Sequence, residues 1–496
     1  MRKESKFNIT IFSNLLSILV SIFISFVITR YFVDYIGKET YSYYPIANNF
    51  STYFSLFFVA INVSSSRYIV IKYLNNEIKE AQSYYTTIFI SCLILSIFVF
   101  SLEMIFYFKL SNVLNIPHYL LKDVKILFLL IFLSSICHGI GASFNAIYYV
   151  KNRMDLYGIS IIAENIVKGL LMFILYVTKN IGLVSLGYII LFSTIVRYLF
   201  SIYFSSKYMK EISFDIDTFS STKLLSILKT GFWAIVSNSG NIIILNSELI
   251  LSNTLVGVES SSELSLIQPL MTLCLLLGNT MTLMLEPLMI ESVATNKYEN
   301  VNKIRLSLMC LLYIPIVLVM TLNRHLYSLW LPKENNLILY KLTFLMCLQI
   351  MLSFINYMSF STITTLLKEK IKGIGFILAV FLYICLICFY NKNNMIDNYN
   401  IITAGIISYV AYFVIYIPVV AKSLLKRDDK NIKLFYLKDN ICIFVILVID
   451  YLIAKIAPLN SILSFILLCL ICVIIDYSLI ILCYKIKISE LIKSVK

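Results

Sequence analysis

Apolar runs of about 20 residues, almost free of charge, recur from one end of the chain to the other. Short polar connections separate them. The runs lack the period-two alternation of membrane-barrel strands. Lipid offers no partners to backbone amides and carbonyls, so each run must satisfy them internally as a helix. The pattern predicts an all-α, polytopic membrane protein with about 14 transmembrane helices. They are expected over residues 9–32, 44–65, 84–107, 124–149, 157–177, 182–205, 229–252, 264–288, 303–323, 339–364, 372–390, 401–421, 440–457 and 461–484. The first run follows a charged start, as in a signal peptide. Its apolar core is too long at about 20 residues, and no small-x-small site follows, so it reads as a retained first helix.

Two short echoes divide the chain. Gly37-Lys38-Glu39 follows span one and Gly257-Val258-Glu259 follows span seven. Asn115-Ile116-Pro117 follows span three and Trp330-Leu331-Pro332 follows span nine. The members of each pair are six spans apart. An even offset gives both halves the same orientation, a parallel repeat about an axis along the membrane normal. The expected organisation is a six-helix bundle over 1–206, a cytoplasmic linker over 207–228 and a second six-helix bundle over 229–422. A cytoplasmic loop over 423–439 follows, then two extra helices and a basic cytoplasmic tail over 440–496. The segment "RYIVIKYLNNEIKEAQSYY", from Arg67, mixes charge and aromatics and predicts an amphipathic helix on the inner surface.

Polar residues form stripes on some spans. Asn48, Thr52, Ser55 and Asn62 share one face of span two, and Gln268, Thr272, Asn279, Thr282 and Glu286 share one face of span eight. Each set falls within about 80° of arc. Asn238, Asn241 and Glu248 do the same on span seven. Against lipid such stripes are costly, so they face other helices or water. Two readings stand: hydrogen bonding between helices, or the lining of an aqueous cavity between the halves, which the matching stripes on spans two and eight favour. Several ionisable residues lie within spans. Glu164 and Lys168, four apart, suit either a structural ion pair or a site. Arg197 suits either a site or snorkelling to the surface. Asp450 and Asp476 suggest a local contact between the last helices. Glu103 and Glu286 lie near span ends, within reach of the interface.

Composition agrees with the pattern. The chain has 496 residues, 59% of them hydrophobic and 14% charged, with mean hydropathy +0.86. A soluble protein carries about 45–50% apolar residues. The net charge of +14 is that of loops that orient the chain and does not indicate nucleic acid. With Arg2, Lys3 and Lys6 on the cytoplasmic side, cations in inward connections outnumber those outside by more than two to one. This orientation places both termini in the cytoplasm. Eleven cysteines lie mostly inside apolar runs, and the pairs Cys385/Cys388 and Cys469/Cys472 lack the further ligands of a metal or redox site. His118, His138 and His325 form no ligand or catalytic spacing, and no phosphate-binding loop or nucleophile elbow occurs. Connections reach only about 25 residues, too short for a catalytic domain. These features predict a transporter, not an enzyme, without a cofactor or bound metal.

The motifs in this layout resemble the polysaccharide-exporter and O-antigen flippase branch of the multidrug/oligosaccharidyl-lipid/polysaccharide flippase superfamily. The residues that carry the resemblance are Gly37-x-Glu39-x-Tyr41 after the first helix, Arg67-Tyr68 after the second and Asn152-Arg153-Met154-Asp155 after the fourth. Leu285-Glu286-Pro287 at the end of span eight and Leu329-Trp330-Leu331-Pro332 after span nine add to it. The chain departs from the family pattern at Ser42 and Pro332, where glycine is frequent. The resemblance covers essentially the whole chain. It implies translocation of an undecaprenyl-pyrophosphate-linked oligosaccharide across the bacterial inner membrane by alternating access. The cargo would be an O-antigen (lipopolysaccharide) or capsule repeat unit. Spans one, two, seven and eight would line the cavity, and the last two would help hold the polyprenyl tail. On this reading Arg30, Lys168 and Arg197 handle the pyrophosphate, with Asn48, Asn62, Asn241, Gln268 and Asn279 toward the substrate. Glu248 and Glu164 are candidates for gating or for coupling to protons or sodium. Membrane lipids are expected partners, with a polysaccharide polymerase and a chain-length regulator as candidate protein partners. Arg30, seven residues before Gly37, and Glu248, nine before Gly257, are expected to face each other as an outer gate; snorkelling is the other reading of Arg30. The alternatives are a multidrug/cation antiporter, which usually stops at twelve spans, and a membrane enzyme of the same pathway.

Overall fold

The computed structural model describes residues 2–145, 148, 150–151, 153–212, 214–294, 313–334, 336–355, 360, 363, 368–425, 430–456 and 462–484. Among them there are long helices and no strands. In order they are α1 (Arg2–Ile36), α2 (Lys38–Leu74), α3 (Ile78–Phe108), α4 (Leu121–Ala142), α5 (Met154–Thr178), α6 (Leu183–Tyr208) and α7 (Ser221–Leu251). There follow α8 (Val258–Ala294), α9 (Ile314–Trp330), α10 (Leu337–Ile355), α11 (Glu369–Lys392) and α12 (Asn398–Tyr409). Helix α12 runs through a wider π-helical stretch, Val410–Tyr416, into Ile417–Leu425. The last two are α13 (Lys430–Ile456) and α14 (Ile462–Tyr484). Ten described helices are long and apolar enough to cross a membrane, or eleven with the bent pair that includes α7. Part of the expected span 303–323 lies outside the described residues.

The outward surface of these helices suits lipid. Ile94, Ile97, Phe98 and Ile105 of α3 are exposed, as are Leu463, Ile466, Leu467, Leu470 and Ile474 of α14. Apolar faces this extensive are not stable against water. The inward faces carry aromatics and small polar residues instead. Phe50, Phe106, Phe128 and Phe132 interlock, with Phe50 and Phe106 ring centroids 4.1 Å apart. Ser83, Thr86 and Thr87 of α3 are buried yet satisfied, because they hold the segment before α7. Ser83 donates to the Thr218 carbonyl (2.6 Å), while Thr86 and Thr87 accept from the Asp215 and Ser220 amides. The expected linker 207–228 is thus strapped along α3 over 215–220, and its last residues already form the first turns of α7.

The surface helix expected from Arg67 does not form. The segment is the end of α2, a tight turn at Asn75–Glu77 and the start of α3. Asn76 takes a left-handed φ of 62°, and Lys72 closes the turn through a 2.6 Å ion pair with Glu77. The aromatic character that suggested a lipid surface serves the hairpin instead: the rings of Tyr68 and Tyr84 stack across it, 5.1 Å apart.

Two turns share one geometry. Among the described residues, Gly37 and Gly257 are the glycines with positive φ, at 80° and 141°, and their ψ values are 157° and 178°. Only glycine occupies that region without strain. Each carbonyl accepts from the amide four residues on, Tyr41 and Ser261. The matched pair starts α2 and α8 in the same way, which supports the repeat seen in the sequence. The second echo also recurs locally, since short 3₁₀ turns follow Pro117 and begin at Pro332.

By packing, the chain forms two compact units, Met1–Pro269 and Leu270–Lys496. In the first, α1 packs on α5, α4 and α5 on α6, and α2 on α3 and α7. In the second, α10 packs on α9 and α12, α11 packs on α12, and α13 and α14 pack on α9. The division at 207–228 came from the repeat and not from packing. Helix α7 therefore counts with the second half by repeat and with the first unit by contact.

Gly37→Ala and Gly257→Ala should each lower stability by about 1–3 kcal/mol, since alanine must adopt a strained backbone with no contact to relieve it. Gly182 is the control. It too has open space around it but holds an ordinary extended φ of −156°, so Gly182→Ala should leave the melting temperature nearly unchanged.

Candidate functional site

A buried polar cluster in the first unit grows from α5. Seven residues make about two helical turns, so Tyr157 and Glu164 project from one face, and Lys168 follows one turn later. The opposite face of α5 carries exposed Ile159, Ile166, Leu170 and Phe173. Burial of the polar face brings it against α6, which supplies Arg197 and Tyr198. Glu164 accepts from Lys168 Nζ (2.7 Å) and from Arg197 Nη1 (3.2 Å) on its two carboxylate oxygens. The Glu164 side chain is 10% exposed, and those of Lys168 and Arg197 are each 19% exposed. Arg197 Nη2 donates to the Tyr157 hydroxyl (3.2 Å), and its guanidinium carbon lies 5.5 and 5.6 Å from the Tyr157 and Tyr198 ring centres. His138 of α4 packs edge-on against Tyr198. From α2, Tyr44 is hydrogen-bonded to Asn48 and lies within electrostatic range of Lys168 and Glu164. Two cations share one carboxylate, so this low-dielectric pocket carries a net charge of +1.

The other expected residues are placed elsewhere. Arg30 lies near the Gly37 end of α1, half exposed, with Nε 3.9 Å from Asp34. Glu248 is fully buried on α7, beside the α2 residue Tyr53. Asn241 and Gln268 are half-buried on α7 and α8. The side chains of Asn62, Asn279 and Glu286 lie outside the described residues. On the α2 stripe, Thr52 donates to the Asn48 carbonyl and Ser55 to that of Thr52. The contacts between α2 and α7 come from its neighbours. Asn49 donates to the Asn246 carbonyl (3.2 Å) and Tyr53 to the Ile243 carbonyl (3.3 Å).

At the Gly37 end, Asn115 ties α2 to the end of α7. Its amide donates to Asn253 Oδ1 (3.0 Å) and its side chain to the Asn253 carbonyl (2.6 Å). The Tyr43 hydroxyl donates to the Asn115 carbonyl (2.7 Å). The Asn115-Ile116-Pro117 motif therefore acts as a clasp between helices. Glu103 differs from its expected interface position. It is fully buried, with Ser135 Oγ 2.8 Å from both carboxylate oxygens. Arg153 and Asp155, in the turn after span four, pair through both carboxylate oxygens at the start of α5. Sequence reasoning passed over Tyr44, Tyr157 and Tyr198. The two-turn spacing of Tyr157 from Glu164 was the available signal; Tyr44 and Tyr198 come from other helices.

Among the described residues, no group of three or more His, Cys, Asp or Glu side chains could hold a metal ion. Replacing Glu164 with Gln strands two buried cations, so unfolding should become easier by about 3–5 kcal/mol. Adding Lys168→Met should recover part of that loss. Denaturation of purified protein in detergent measures both, and unchanged stability in Glu164→Gln would contradict an ionised network.

Residues 10–293, more than half of the chain, match the family described as polysaccharide biosynthesis protein, and the chain belongs to that family. A curated relative, the uncharacterized membrane protein EpsK of Bacillus subtilis (strain 168), is 23% identical over 331 residues. That match covers 66% of this chain and 65% of EpsK, so the chain spans somewhat under two thirds of its relative's length. Among solved structures, the fold is similar to the lipid II flippase MurJ in an inward closed conformation. The TM-score is 0.64 at 16% identity, over 95% of this chain and 98% of that one. It is also similar to an inward-facing multidrug resistance MATE family transporter of the MOP superfamily. There the TM-score is 0.65 at 13% identity, over 83% of this chain and 96% of that one. The chain is thus a multi-pass membrane protein with the all-α fold of these flippases and transporters.

Proposed function

We propose that the chain moves an undecaprenyl-pyrophosphate-linked oligosaccharide, an O-antigen or capsule repeat unit, across a bacterial inner membrane by alternating access. The observation that carries this reading is the buried cluster of Lys168, Arg197 and Glu164, with two cations to one anion. An uncompensated charge in hydrocarbon costs tens of kcal/mol by Born arguments. A pyrophosphate needs such a cationic pocket to cross, while its polyprenyl tail stays in lipid.

The same cluster suggests how an ion gradient couples. An arriving pyrophosphate competes with Glu164 for Lys168 and Arg197. Once its cations turn to the phosphate, the Glu164 carboxylate is left buried and takes up a proton. Release of the substrate reverses the exchange. On this reading Asn48, through Tyr44, positions the pocket wall. Arg30, at the Gly37 end of α1, guides the pyrophosphate toward the outer leaflet, and Glu248 belongs to the gate between α2 and α7. Both termini lie in the cytoplasm, by the distribution of cations, and the chain has about 14 spans.

The test is accumulation of the lipid-linked unit on the cytoplasmic face in cells that depend on this protein. Arg197→Ala and Lys168→Ala each remove a charged hydrogen-bond donor, worth about 1.5–3 kcal/mol. Surface polymer should fall by about tenfold to a hundredfold. Lys168→Arg should retain most activity. Normal polymer in Arg197→Ala would remove the cluster from the substrate path, and normal polymer in Arg30→Ala would remove Arg30. The alternative, a multidrug/cation antiporter, predicts drug resistance on overexpression and no accumulation of lipid-linked sugar.

A further inference from the structure

The last two helices bury two carboxylic acids against each other. Asp450 of α13 and Asp476 of α14 are both completely shielded from solvent. Their helices pack on one another and on α9. The walls are apolar: Leu318 and Leu322 come from α9, Ala454 from α13, and Leu468 and Cys472 from α14. One turn away on each helix, Ile446 and Ile480 line a small apolar cavity with Tyr313 and Val317 of the α9 segment. The groups that act on the pair are the two carboxyls themselves, Cys469 and Cys472. No lysine or arginine is among them. On α9 the nearest ionisable groups in sequence are Arg324, exposed and engaged with Tyr340 of α10, and His325. Lys455 of α13 is also exposed.

Among the described residues none of the four carboxyl oxygens has a nitrogen or hydroxyl donor, and the Cys472 thiol, a weak donor, is the group that acts on Asp450. An ionised carboxylate only accepts hydrogen bonds. Two of them face to face would present acceptor to acceptor and charge to like charge, with hydrocarbon around both. One broken buried pair already costs about 3–5 kcal/mol, and among the described residues no cation acts on this pair. A proton on either carboxyl supplies the missing donor and removes a charge at once. A metal ion would not serve as well. Hard cations take about six to eight oxygen ligands, and this pocket offers the carboxyls, thiols and apolar walls.

We propose that Asp450 and Asp476 form a proton-binding site in the last two helices, and that loss of its proton loosens the packing of α13 and α14 against α9. This inference stands apart from the identity of the transported substrate. Its ligand is the proton, and its effect is local to these three helices. Helices added beyond a repeated twelve thereby gain a pH-dependent contact.

Infrared difference spectroscopy of the full chain in lipid nanodiscs tests it, comparing the parent protein with Asp450→Asn/Asp476→Asn. At neutral pH the difference should contain the C=O stretch of a protonated carboxyl, and that band should vanish as pH rises. Thermal stability is the second readout. The proposed proton supplies a donor that only the packed helices need, so the parent should lose stability as pH rises and that proton leaves. The amide pair cannot ionise and should show no such slope. If the double variant fails to accumulate, Asp450→Asn alone serves: its remaining carboxyl has an amide donor, and its ionisation should shift relative to the parent. A difference spectrum without the carboxyl band, or identical pH profiles of melting, would overturn the proposal. So would a band that responds to sodium at constant pH, which would indicate a cation site.

Discussion

Hydrocarbon supplies no counter-charge, so every ionisable group that a membrane protein buries must find its compensation within the chain. This constraint organises the interior of both units. Glu164 is compensated twice, by Lys168 and Arg197, and the pocket is left with positive charge to spare. Glu103 meets the hydroxyl of Ser135, and one O–H donates to one oxygen at a time. Asp450 and Asp476 meet chiefly each other. The three sites run from an ionised cluster to a pair of acids that share a proton, and the difference follows from how many cations the neighbouring helices provide.

The contacts between α2 and α7 obey the same economy with neutral groups. Asn49 and Tyr53 donate to carbonyls of α7 that already belong to its helical ladder. Each such bond is worth about 1 kcal/mol net, because water can replace it. Breaking these two bonds would therefore leave the helical ladder of α7 intact. The clasp of Tyr43, Asn115 and Asn253 at the Gly37 end is built likewise from hydroxyl, amide and carbonyl groups. On the proposed alternating-access function, a gate needs contacts that hold and release at modest cost, and these have that chemistry.

Much of the architecture was legible in the sequence because it depends on one-dimensional signals. Run length located the helices, and the paired Gly-x-Glu turns picked out two positions, Gly37 and Gly257, that share a backbone only glycine adopts without strain. The ion pair of Glu164 and Lys168 was readable from its four-residue spacing. Its extension to Arg197, 33 residues on, was not, because it depends on how α5 and α6 rotate about their axes. The same holds for Tyr198 and Tyr44. The surface helix expected from Arg67 failed for a related reason: the tyrosines that looked amphipathic along one helix stack across a hairpin of two. The stripe on α2 gives one shared face, and along it Thr52 and Ser55 bond to carbonyls of their own helix. Sequence periodicity gives the face of a residue but not the partner it prefers.

Arg197 and Lys168 divide the work of the cluster by their shapes. The guanidinium is a planar fork of five donors. Its contacts with Glu164 and Tyr157 and the rings of Tyr157 and Tyr198 near its faces fix that plane. A lysine there would keep the charge and lose the orientation. Lys168 is a point charge on a flexible stem, one turn from its partner on the same helix, so it can swing to a new anion without disturbing the backbone. On the proposed function, one cation fixed in its plane and one on a flexible stem suit an anion that must first be caught and then let go.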